Sequence, residues 1–71
     1  MDKLIGMAAE IVLVKGDCGP MVWFVIDQQT EVHWCQRHAM FHIIMDDSLG
    51  SVYTEEEVLD VLESGDFFLT F

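Results

Sequence analysis

The chain is 71 residues long and 52% apolar, and thirteen Asp and Glu against three Lys and Arg give it a formal charge of -10. A chain of this size holds one domain, and folding buries only about 60% of the surface that the unfolded chain exposes. Five Phe, two Trp and one Tyr exclude an acidic disordered chain, and the excess of negative charge argues against direct binding to nucleic acid or to an anionic membrane.

The longest uninterrupted apolar run, residues 21–26, is far shorter than the roughly 20 residues of a membrane-spanning helix. The apolar stretch after Lys3 stops at Glu10, too short for a secretory signal, so a cytoplasmic protein is expected. In that compartment Cys18 and Cys35 read as free thiols rather than a bridge.

The first segment, residues 8–14, ends in Ile11, Val12, Leu13 and Val14 and is closed by the turn residues Lys15, Gly16, Asp17, Cys18, Gly19 and Pro20. This composition predicts a strand. Residues 21–27, with Val, Trp, Phe, Val and Ile in succession, predict a second strand that pairs with the first as a hairpin. After a turn at Asp27, Gln28, Gln29 and Thr30, residues 31–37 alternate so as to place Val32 and Trp34 on one face and His33 and Cys35 on the other. A helix capped by Thr30 competes, because Val32, Cys35, Ala39 and Ile43 also fall at helical spacing; strand is the favoured reading. Residues 39–45 read as a further strand that ends at the turn-like Asp46, Asp47, Ser48, Leu49 and Gly50.

Thr54, with Glu57 three residues on, forms a capping box, and Glu55, Glu56 and Glu57 load the first turn with charge that complements the helix dipole. Val58, Leu59, Val61 and Leu62 give the helix its apolar face, and Gly65 suits its C-terminal cap. Residues 67–71 then read as a short strand returning to the sheet. The expected fold is a small α+β domain: an antiparallel β-meander of about four strands, one helix in the C-terminal half packed on one face, and a final short strand.

Charge is unevenly spread. Residues 1–45 hold five acids and three bases, a net of -2, whereas residues 46–71 hold eight acids and no base. Glu56, Asp60 and Glu63 fall at i, i+4 and i+7 along the outer helix face, with neighbours about 5–6 Å apart at Cβ. Asp46, Asp47, Glu57 and Asp66 extend the set of candidate partner-binding residues if the flanking loops lie close by. A row of fixed negative charge on a rigid element matches in spacing and sign the phosphates of a nucleic-acid strand, and so fits a groove built to bind one. The plainer function of such a face is to keep a very apolar small protein dispersed, but solubility is usually served by mixed signs.

His33, Cys35, His38 and His42 offer nitrogen and sulfur for a metal, but their spacing matches neither a Cys-x-x-Cys nor a His-Glu-x-x-His pattern. On a strand His33 and Cys35 share one face and His38 and His42 fall on the other; only a helix would gather them. No metal or cofactor is therefore expected. A cysteine nucleophile would need a base and an orienting group in a pocket, and a domain this small leaves little volume for one. With no nucleophile elbow or phosphate loop either, no enzyme is expected.

In size, acidity and compactness the chain resembles the small inhibitors of phages and mobile elements, including anti-CRISPR proteins and other DNA mimics; the likeness is one of class and not of motif. It implies a protein that blocks a nucleic-acid-binding partner by occupying its basic surface, without catalysis. The alternative reading is a structural module, a homodimer or complex subunit, joined through the sheet face that a single helix leaves uncovered; a small zinc-binding domain built on His33, Cys35, His38 and His42 ranks below it.

Overall fold

The computed structural model describes residues 2–16, 19–46 and 48–65. They form a short helix α1 (Asp2–Met7), five strands β1 (Glu10–Gly16), β2 (Gly19–Val25), β3 (Thr30–Cys35), β4 (Met40–Met45) and β5 (Ser48–Val52), and a second helix α2 (Glu55–Ser64). The strands make one antiparallel sheet in the order β1-β2-β3-β4-β5, a meander in which every neighbour in space is a neighbour in sequence. The α+β class and the helix in the C-terminal half are as the sequence predicts. Among the described residues the meander has five strands rather than about four, and a helix precedes it. The expected strand at residues 67–71 lies outside the described residues.

Tight reversals account for the extra strand. The register pairs Met45 with Ser48, and Asp46 takes the left-handed conformation, φ 52°, that Asp tolerates better than most residues. The chain thus re-enters the sheet at Ser48, inside the stretch whose composition reads as turn. The β3–β4 connection resolves the strand-or-helix competition in favour of strand: Cys35 pairs with Met40, and Ala39, at φ 51°, closes the turn.

Cross-strand partners share a face, so the register fixes the two sides of the sheet. Val22, Trp34, Phe41 and Val52 form one row across β2–β5, and Phe24, Val32, Ile43 and Gly50 the next. Both helices pack on this side. Leu4 of α1 and Val58 and Val61 of α2 are fully buried, and they join Phe24, Val32, Phe41, Ile43 and Val52 in a single core. Trp34 and Phe41 meet at 4.5 Å between ring centroids. Burying a side chain such as Val58 or Ile43 contributes about 1.5–3 kcal/mol, so these few contacts carry the fold. Among the described residues no helix is long and apolar enough to cross a membrane.

Candidate functional site

The best-defined acidic element is α2, which is capped at both ends. The Thr54 hydroxyl oxygen accepts from the Glu57 backbone N–H at 3.1 Å, while the Glu57 carboxylate accepts from the Thr54 backbone N–H at 3.2 Å, closing the capping box. The same carboxylate accepts from the backbone N–H of Tyr53 and from the hydroxyl of Thr54, each at 3.2 Å. At the other end Gly65 adopts φ 72°, and its N–H donates to the Val61 carbonyl, a conformation that glycine takes without a Cβ penalty.

With Val58 and Val61 buried against the sheet, Glu56, Asp60 and Glu63 are exposed on the outer side of the helix. No basic residue stands in the last turn, and none occurs anywhere on α2. The candidate residues therefore divide by position. Glu56, Asp60 and Glu63 form the row that their spacing predicts; Glu57 is committed to the cap. Asp46 sits at the end of β5 opposite the start of α2, where its N–H donates to the Gln29 carbonyl at 2.9 Å. There it lines an open depression of about 400 Å³ with Gln28, Gln29, Glu31 and Ile44. Asp47 and Asp66 lie outside the described residues.

Glu55 ties the two helices together. Its Oε2 accepts from the Leu4 backbone N–H at 3.3 Å. Desolvation of this carboxyl pushes its pKa up, but the bond from Leu4 and nearby positive charge, to which Lys3 adds the smallest part, together outweigh it, and the group sits below the ordinary glutamate value. The folded state thus favours the ionised form.

The opposite side of the sheet carries the histidines. His33 on β3 is paired with His42 on β4 and with Trp23 on β2, and His42 with Ser51 on β5. The sequence expectation that His42 falls away from His33 and Cys35 is thereby corrected. It carried the alternation of β3 straight through the turn, whereas the β3–β4 register pairs odd-numbered with even-numbered residues. Trp23 stacks on His33 with centroids 4.1 Å apart and planes 5° from parallel. His33 Nε2 is 2.9 Å from Glu31 Oε1, and His42 Nδ1 is 2.9 Å from Ser51 Oγ. Each imidazole thus has a separate partner, and among the described residues no three His, Cys, Asp or Glu are grouped so as to hold a metal ion. His38 lies in the β3–β4 turn with Nδ1 3.4 Å from Cys35 Sγ. That thiol is free and fully buried, and so presents no accessible sulfur to a substrate.

The sequence reading missed the Glu55–Leu4 contact and two features of the sheet. One is the Glu31–His33–Trp23 arrangement, which alternation within β3 hints at but only the register assembles. The other is the exposure of Ile11 and Leu13 on β1, 43% and 80% respectively. No family model, curated protein or solved structure matches the chain.

Proposed function

We propose that this protein is a non-catalytic inhibitor that occupies the basic surface of a nucleic-acid-binding protein with the outer face of α2. The observation that carries this reading is the exposed row Glu56, Asp60 and Glu63 on a helix capped at both ends and bearing no base. At 1.5 Å rise per residue, positions 56 and 63 stand about 10 Å apart along the axis, a fixed spacing that a flexible acidic tail would not offer. Charge of this kind mainly accelerates encounter and sets orientation, so affinity needs an apolar anchor beside it. Tyr53, 68% exposed and directly before the cap, supplies one.

The test is capture from a lysate rich in nucleic-acid-binding proteins, using the natural chain and a variant carrying Glu56→Lys, Asp60→Lys and Glu63→Lys. The reading expects a basic nucleic-acid-binding protein to be retained by the natural chain, released by added oligonucleotide, and lost with the variant. Retention that neither the variant nor oligonucleotide alters would refute it.

A further inference from the structure

Both helices pack on one side of the sheet, so among the described residues no element covers the other. The register arranges that uncovered side in rows. Glu10, Val25, Glu31, Ile44 and Leu49 cross all five strands in one of them, and Leu49 is 70% exposed. Val12, Trp23, His33 and His42 stand in the next. The surface is therefore apolar and aromatic, with carboxylates at one end. No described strand presents a Lys or Arg to it, since Lys15 shares the side of Leu13 and Val22. The open depression of about 400 Å³ that Glu31 and Ile44 line with Asp46, Gln28 and Gln29 lies at the acidic end. Glu31 places one carboxylate oxygen 2.9 Å from His33 Nε2, and among the described residues no Lys or Arg pairs with Glu31 or Asp46.

We propose that this uncovered side docks a basic amphipathic helix of another protein, whose apolar stripe lies on Trp23, Val25 and Ile44 and whose Lys or Arg enters the depression between Glu31 and Asp46. The inference is independent of the inhibitor reading, because α2 lies on the opposite side of the sheet. Charge complementarity selects the occupant. A base at the acidic end gains charge-assisted hydrogen bonds from carboxylates that no other base holds, and no cation on this side opposes its approach. An acidic segment or a nucleic acid would meet only like charge there. A second copy does not fit either: Lys3, Lys15 and Arg37 stand singly on α1, β1 and the β3–β4 turn, and α2, the longer helix, is acidic and without a base. A helix suits the surface because a sheet with helices on one face alone is completed by a helical layer on the other, and an apolar stripe bordered by bases meets both the apolar rows and their acidic end.

The probe is a labelled synthetic peptide of Leu and Lys at helical spacing, titrated with the full chain and followed by fluorescence anisotropy, beside a counterpart of Leu and Glu. Saturable binding of the basic peptide is expected, and none of the acidic one. Glu31→Gln together with Asp46→Asn should weaken binding about tenfold, since both carboxylates that hold the base are lost. Glu56→Gln, Asp60→Asn and Glu63→Gln together remove more charge, but from α2, and should leave binding unchanged. A thermal melt of each variant checks its fold. As a readout that needs no variant, the basic peptide should shift the amide resonances of Val25, Glu31, Ile44 and Leu49 in the natural chain and leave those of α2 in place. Absence of binding, equal binding of the acidic peptide, shifts confined to α2, or loss of binding with the α2 variant would overturn the proposal. So would self-association in sedimentation velocity that Ile44→Lys abolishes, because a second copy would then be the occupant.

Discussion

Glu56 and Glu57 are adjacent in sequence and do different work, because 100° of helix rotation separates them. Glu57 turns back to satisfy the N–H groups at the start of α2, whereas Glu56 faces solvent. Thr54→Ala should therefore cost about 1 kcal/mol, the usual worth of an N-cap side chain, while Glu56→Gln should shift stability by no more than a few tenths of a kcal/mol, because the repulsion from Asp60 that it relieves offsets the attraction to the helix dipole that it gives up. Urea denaturation of the two variants measures both. Glu55 adds a pH dependence with a definite sign. Its folded-state pKa lies below the ordinary value of 4.5, so its contribution is full above that value and is lost as pH falls through the lower, folded one. Glu55→Gln should accordingly be less stable than the natural chain at pH 7, and the two denaturation curves should converge under strongly acidic conditions. The cap, its glutamate and the exposed row were legible in the sequence because helical spacing is local information. The role of Glu55 was not, since its partner Leu4 is 51 residues away along the chain.

The elements divide in the same way. α2 follows from its capping box, its apolar spacing and Gly65, all written within twelve consecutive residues. β2, β3 and β4 follow from aromatic and β-branched composition. α1 and β5 do not. A six-residue helix containing Gly6 is too short to be stable alone, and it persists because Leu4 is fully buried in the shared core. Leu4→Ala should thus cost about 2–5 kcal/mol, read from chemical denaturation, and should release α1 before the sheet melts in amide exchange. β5, with the sequence Ser-Leu-Gly-Ser-Val, has weak strand propensity. Its pairing of Val52 with Phe41 and of Gly50 with Ile43, set up by the reversal at Asp46, makes it a strand. Composition could not show either result, because both depend on contacts made only after the chain folds. The same limit applies to the histidines, whose placement on one face depends on the odd offset of the β3–β4 register.

At the scale of the molecule, the charge asymmetry seen along the sequence becomes an asymmetry in space, with an acidic β5–α2 side and an apolar, charge-balanced β1 edge. Screening weakens the attraction between α2 and a basic partner, so raising ionic strength from about 0.05 M to 0.5 M should loosen that complex, which titrations followed by sedimentation would show. The central claim is that the acidic face of α2 competes with nucleic acid for one basic surface. Its most direct test is the displacement of a labelled oligonucleotide from the captured partner, followed by fluorescence anisotropy. The natural chain should displace the oligonucleotide competitively, and Glu56→Lys, Asp60→Lys and Glu63→Lys together should weaken displacement by at least about tenfold, or 1.4 kcal/mol. Simultaneous binding of chain and oligonucleotide, or equal displacement by the natural chain and the variant, would contradict it.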